Sequence, residues 1–141
     1  MTLLPSIKAL ADSLQNNAAL QALSQELWQK NVTVRRSFKQ RQEIHLEELP
    51  VIMITRPLKI SGSTEERDTV RLYCGFHQPD REKGQDESIK FDEAIEAAAV
   101  ADNELNKTAL LIEPKRTETD EGYYHPVYFL VKDFEIELAI T

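Results

Sequence analysis

The sequence has very little cysteine and glycine, and both shortages exclude kinds of site. Cys74 is the only cysteine among 141 residues, so the chain cannot form an internal disulfide or a zinc site built from several cysteines. The four glycines are isolated from one another, at Gly62, Gly75, Gly84 and Gly122. No glycine-rich loop is therefore present to surround the phosphates of a nucleotide.

Positive charge is scarce as well. The 17 lysines and arginines are outnumbered by 24 aspartates and glutamates, which leaves a net charge of −7. This balance argues against a general nucleic-acid-binding protein, because contacts to phosphates need a basic face. One local exception, which we call the basic run, comprises Arg35, Arg36, Lys39 and Arg41. It is typical either of a solvated strand edge, where charge discourages aggregation, or of a patch that meets an acidic partner or passing DNA.

Long apolar stretches are absent too. No run approaches the roughly 18 apolar residues that a membrane-spanning helix needs. The first residues reach Lys8 and Asp12 too soon to contain the apolar region of a signal peptide. We therefore expect a soluble protein of the cytoplasm that makes no contact with a membrane.

The most regular pattern in the chain lies in residues 126–141. Every second position there is large and apolar, with Lys132 as the one exception. The apolar residues are Tyr128, Leu130, Phe134, Ile136, Leu138 and Ile140. A period of two predicts a strand with one face on the core. At about 3.3 Å per residue this strand would span roughly 50 Å, so we expect a bulge near Lys132–Asp133 and spare backbone for pairing with another chain.

The core partners of this strand follow from the other apolar patterns. We expect its apolar residues from Leu130 to Leu138, including Phe134 and Ile136, to be buried. Their partners are expected on a neighbouring strand, at Val51 and Met53, or on a helical stripe of Ala94, Ile95 and Ala98.

Apolar periodicity in the rest of the chain predicts three helices and four further strands. Helices are expected over residues 4–15, 17–31 and 86–102, and strands over residues 32–38, 49–55, 69–76 and 110–112, the last stopped by Pro114. Residues 78–84 are interpreted as a loop, and residues 56–68 and 113–126 as two long polar connections inside hairpins. This order predicts one α+β domain over residues 1–141, with a mixed, mostly antiparallel sheet of about five strands and helices packed on one side.

The predicted strands and helices do not bring residues capable of catalysis or metal binding close together. Cys74 and His77 lie three positions apart on one predicted strand, so their side chains point to opposite faces. Cys74 shares its face with Val70, Leu72 and Phe76, which is typical of a small buried hydrophobe. The three histidines lie in different segments without the spacing of metal ligands. We expect no catalytic residue, metal or cofactor.

The order of elements, taken with particular residues, resembles the tail terminator family of long-tailed bacteriophages, of the lambda type and its prophage relatives. The matching features are an N-terminal helix rich in leucine and alanine, the strands 49–54 and 69–77, the helix 86–102, and a hairpin from residue 110 through Gly122 into the long last strand. The resemblance covers nearly the whole chain.

The resemblance implies a structural subunit rather than an enzyme. Such subunits form a ring, expected to be a hexamer of identical copies, on the end of the finished tail tube. The ring stops polymerisation of the tube protein and presents a surface to the head-completion proteins, and DNA passes through it without sequence-specific binding. The implied location is the cytoplasm of the bacterial host and then the tail of the virion.

Candidate residues for oligomerisation and partner binding come from the polar connections and the charged strands. We expect the connections to be assembly elements, so that shortening residues 115–124 leaves a folded monomer that cannot form rings. The tyrosines of the second connection suit an interface because they combine contact area with a polar group. The basic run is expected to meet acidic residues of the adjacent subunit. The candidates are Arg35, Arg36, Arg67, Tyr123, Tyr124, Glu135 and Glu137.

Two other kinds of protein stay open at this point. One is another phage neck or tail completion protein with a similar fold. The other is a small ligand-binding module of the ferredoxin-like type, which would be a monomer or dimer with a deep apolar pocket. An enzyme is disfavoured because the sequence does not predict an acid, a base and a nucleophile close to one another. A hexamer in solution would favour the ring.

Overall fold

The computed structural model describes residues 3–57 and 67–138, which form the predicted α+β fold. The helices are α1 (Leu4–Gln15), α2 (Ala18–Trp28) and α3 (Arg81–Val100), and the strands are β1 (Thr33–Arg35), β2 (Val51–Thr55), β3 (Arg67–His77), β4 (Ala109–Thr119) and β5 (Val127–Leu138). The sheet has the order β1-β2-β3-β5-β4, with β1 parallel to β2 and all other neighbours antiparallel. Ile140 and residues 58–66 of the first predicted connection lie outside the described residues. None of the described helices is long and apolar enough to cross a membrane.

The main core lies on one face of the sheet and includes residues of all three helices. The inward residues of β5 belong to it, namely Tyr128, Leu130, Phe134, Ile136 and Leu138. They share this cluster with Ile95 and Ala98 of α3, so the predicted burial against the helical stripe is confirmed. The alternative partners Val51 and Met53 are wrong, because these two residues belong to a separate cluster on the other face of the sheet.

β5 pairs with β3 without a change of register. The paired residues run from Val127 to Glu137, so the bulge predicted at Lys132–Asp133 is wrong. The register shifts lie in β4 instead, and one of them follows Pro114.

Lys132 occupies a core position and continues the inward series of β5. Its side chain is 1% exposed. The ammonium group pairs with Asp92 and with Glu96 of α3, the latter at 3.4 Å, and donates to the Thr117 hydroxyl of β4 at 2.8 Å. A buried charge is tolerated when it is paired and hydrogen-bonded. The strand therefore has no need to bulge where the apolar series is interrupted.

β4 is much longer than predicted. It continues through Pro114 to Thr119. Proline has no N–H to donate, but β4 is an edge strand, so Pro114 can lie in it without loss of a hydrogen bond between strands. The polar connection predicted over residues 113–126 is therefore wrong in its first half. Shortening residues 115–124 would remove part of a paired strand, so the monomer cannot be expected to survive it unchanged.

α3 begins within the loop predicted over residues 78–84, which is wrong in that part. Asp80 caps the helix, since its carboxylate accepts the backbone N–H of Lys83 at 3.0 Å. Gly84 allows the first turns to lie against the ring of Tyr128, where an added Cβ would come within 2.2 Å of Cζ. The cap and this close packing stabilise the first turns of α3, although their sequence lacks apolar periodicity.

Glutamine side chains cover the outer edge of β1. Gln15 of α1 donates to the carbonyl of Val32 at 2.8 Å and accepts the N–H of Val34 at 2.8 Å. Gln21 of α2 accepts the N–H of Val32 at 2.7 Å. These bonds occupy the backbone groups that an added strand would need.

After β1 the chain leaves the sheet and crosses the face opposite the helices. We call residues 36–50 the strap; it contains two 3-10 turns, Arg41–Glu43 and Leu46–Glu48. The strand predicted over residues 32–38 therefore ends early. Phe38, expected on that strand, lies on the strap and is half exposed.

Candidate functional site

The strap covers part of the sheet face that the helices leave open. The ring of Phe38 lies 4.7 Å from that of Tyr73 in β3, measured between centroids. The backbone N–H of Lys39 donates to the sulfur of Met53 in β2 at 3.3 Å. Because sulfur is a weak acceptor, apolar contacts carry most of the attachment.

Two adjoining cavities open beside the strap, with volumes of about 270 and 280 Å³. We call them together the aromatic groove. The residues that line both are Arg41, Gln42, Ile44, Tyr124 and Phe129, and the first cavity also reaches Phe38, Met53 and Tyr73. Each cavity far exceeds the roughly 15 Å³ that a single water molecule needs. A side chain of a partner therefore has room in the groove.

Arg41 lies between the strap and the aromatic side chains of the sheet. Its guanidinium carbon is 4.0 Å from the ring centroid of Tyr124 and 4.9 Å from that of Phe129. Stacking of this kind is worth about 0.5–1 kcal/mol at exposed sites, and it orients the planar fork of the arginine. Among the described residues, no carboxylate lies within 4.0 Å of this guanidinium.

The turn between β4 and β5 carries two tyrosines, of which Tyr124 lines the groove and Tyr123 contacts the ring of Tyr124. Asp120 holds this turn, because its carboxylate accepts the N–H of Gly122 at 3.0 Å and that of Phe129 at 3.3 Å. Gly122 has a φ of 81°, a conformation that glycine adopts without strain. Tyr123 is 82% exposed and Tyr124 42% exposed. Such exposed aromatic rings are typical of an interaction surface.

The structure disperses the basic run. Arg35 and Arg36 are exposed where β1 ends. Lys39 donates to the carboxylate of Glu48 at 2.6 Å, and this hydrogen bond lowers the pKa of Glu48. Arg41 stacks on the aromatic rings of the groove, and the paired Lys39 also lines its first cavity. Two of the four basic side chains therefore have partners within the subunit.

Ion pairs occupy the open sheet face farther along β3 and β5. Arg71 donates to both oxygens of Asp133, at 2.7 and 3.0 Å, and these bonds raise the pKa of Arg71. Arg67 lies 3.6 Å from Glu135 and is opposite Glu137 in the strand pairing. Three candidate residues are thus brought together within one subunit. Their contact with the basic run of a neighbouring subunit stays a prediction.

The backbone of β5 is not open to another chain over residues 130–137. β3 pairs with one of its edges and β4 with the other, so the expected pairing of this strand with a second subunit is wrong for these residues. The outer edge of β4 is interrupted by Pro114 and a register shift, both of which discourage strand addition. Addition of a strand from another chain is therefore disfavoured at this edge.

Cys74 is expected to be unreactive in the native protein. Its side chain is fully buried in the main core, and burial raises the pKa of its thiol, so the nucleophilic thiolate is suppressed. An aromatic disulfide reagent should label no thiol without denaturant and one per chain in denaturant. Rapid labelling of the native protein would contradict this burial. Among the described residues, no three potential metal ligands lie together.

Sequence reasoning missed the contact of Arg41 with Tyr124 and Phe129. A signal for it exists in β5, where Phe129 occupies an outward position of the alternating pattern and is nonetheless buried. An aromatic residue in that position indicates that another segment covers the sheet there. The pattern does not tell which segment.

No family model matches the sequence, and no curated protein matches it. The resemblance to tail terminators receives no support from these comparisons.

Proposed function

We propose that this protein is a structural subunit that binds copies of itself to form a ring, and that the ring caps the tail tube of a bacteriophage. In this role the ring, a hexamer, stops polymerisation of the tube protein and presents the surface that joins the head. The observation that supports self-assembly is the aromatic groove, which Tyr124 lines, together with the exposed ring of Tyr123 beside it. The phage tail part rests on the resemblance in the order of elements.

The composition of the groove is that of an interface. Tyrosine, phenylalanine, methionine and arginine are enriched in the buried centres of interfaces, and tyrosine and arginine are frequent among the residues that dominate binding. The groove combines these types in Arg41, Met53, Tyr73, Tyr124 and Phe129. It is also held by rigid elements, since three of the five residues lie on strands.

The fold supplies two different faces for neighbours in a ring. The groove lies on the sheet face that carries the strap, whereas all three helices lie on the other face. Cyclic rings require heterologous contacts, in which one surface of a subunit meets a different surface of the next.

A ligand-binding module is the second candidate, and the volume of the groove favours it. Its lining is mainly apolar, with Arg41 and the paired Lys39 at the side, which suits a small aromatic molecule that carries negative charge. Such a module would be a monomer or dimer. The mass of the protein in solution therefore separates the two candidates.

Replacing Tyr123 and Tyr124 with serine is expected to weaken self-association at least about tenfold, because exposed aromatic anchors contribute most of the binding energy of an interface. Sedimentation velocity over a range of concentrations measures the effect, with the wild type expected as a hexamer. Leu4→Ser is the matched control, since Leu4 is a half-exposed apolar residue of α1. A wild type that stays monomeric at every concentration would rule out the ring.

The tail-capping role has a separate test. The ring fraction is added to polymerising tail tube protein, and the tubes are examined by electron microscopy. Short tubes that end in a ring are expected, whereas tubes of unchanged length with bare ends would contradict the role.

A further inference from the structure

The outer face of α3 carries an apolar residue between two carboxylates. Ile89 is 59% exposed, and on a helix its neighbours along the surface are the residues three and four positions away. Asp86 and Glu93 occupy such positions and are exposed. Lys90 is the one exposed cation in residues 85–93, so the carboxylates outnumber it on this face.

This face is held rigidly and points away from the sheet. Asp80 caps the start of α3, and Phe91, Ile95 and Ala98 anchor its opposite side in the main core. Isoleucine is not needed for solubility or for packing at this exposed position.

The aromatic groove has the complementary chemistry. It offers apolar volume beside Ile44 and Met53, and at its side the stacked guanidinium of Arg41 presents donors that no described carboxylate occupies. Stacked arginines bind carboxylates well, because the planar fork is already oriented.

We infer that α3 of one copy docks in the aromatic groove of the next, with Ile89 in the apolar volume and Asp86 or Glu93 paired with Arg41. This contact rests on the proposed self-assembly and specifies its two surfaces. The overall charge of −7 makes like copies repel, and the contact places a local cation against the acidic helix.

The position of the two surfaces determines the symmetry of the assembly. The groove and the outer face of α3 lie on opposite layers of the subunit. Two copies related by a twofold axis cannot satisfy both contacts at once, because each copy would have to present both layers to the other. The contact is therefore heterologous and leads to a ring or an open chain of copies.

Charge reversal on each surface tests the contact. The groove variant is Arg41→Glu, and the helix variant carries Asp86→Arg with Glu93→Arg. Each alone is expected to weaken association about 100-fold or more, because like charges are brought together in a desolvated contact. Mixed in equal amounts, the two variants should assemble again with alternating copies. The groove of each variant then meets the helix of the other, so every contact joins opposite charges.

Controls for the effect of charge alone use exposed residues of the other two helices. Lys8→Glu on α1 matches the groove variant, and Glu26→Arg on α2 tests reversal of an acidic helix residue. Both are expected to assemble like the wild type. Circular dichroism of the groove and helix variants should match the wild type, because the substituted side chains are exposed.

Sedimentation velocity measures the assembly of each variant and of the mixture. Its results distinguish failure of this contact from failure of the proposed self-assembly. If the wild type assembles and the groove and helix variants assemble equally well, or if their mixture stays monomeric, the contact is wrong while self-assembly stands. If the wild type itself never assembles, both fail. Recovery in the mixture also shows that each variant is folded.

Discussion

Replacing Phe134 with alanine is expected to lower the free energy of unfolding by about 3–5 kcal/mol. Phe134 is fully buried at the centre of the inner face of β5, where it pairs with Val70 of β3 and Pro114 of β4. Removing the ring loses its burial and leaves a cavity between sheet and helices that the surrounding strands cannot close. Urea denaturation measures the loss as a lower midpoint with an unchanged slope.

Phe38→Ala is the matched control for this prediction. It removes the same ring from the strap, where Phe38 is half exposed and contacts Tyr73. Surface substitutions of this kind usually change stability by about 0.5 kcal/mol, and the lost aromatic contact adds about 0.5–1.5 kcal/mol. If both variants lose the same amount, the inner face of β5 is not the centre of the core.

Removing the two carboxylates that face Lys132 is expected to cost about 3–5 kcal/mol. The variant Asp92→Asn with Glu96→Gln keeps the size of both side chains and leaves the buried ammonium of Lys132 with neutral partners only. An uncompensated charge in the core is costly because the interior solvates it poorly. Asp92 and Glu96 are partly exposed, so the cost arises mainly at Lys132.

Lys132→Met tests whether the buried charge of Lys132 causes this loss of stability. A methionine fills much of the same volume without needing a partner, so adding it to the double variant should recover most of the lost stability. In the wild-type background the same change is expected to be tolerated, because the two carboxylates keep contact with water. Urea denaturation of the four proteins completes the cycle. A triple variant no more stable than the double variant would show that the lysine charge is not the cause.

Much of the fold could be predicted from periodicity. Period two in residues 128–138 identifies the inner face of β5, and the helical period of Ile95 and Ala98 identifies what packs on it. The same reasoning places Cys74 in the core. Tyr123 and Tyr124 could be selected as interface candidates because two adjacent tyrosines in a polar segment have no core to join.

The sequence by itself determined the α+β class, the hairpin partners and the inner faces of β3 and β5, because these depend on residues close together in the chain. Tertiary structure alone decided that β5 lies between β3 and β4 rather than at an edge, that β4 passes through Pro114, and that Lys132 is buried. Alternation shows which side of a strand is covered, but it is the same for a central strand and an edge strand. The contact of Arg41 with Tyr124 likewise arises only when the strap crosses the sheet, since it joins segments far apart in the chain.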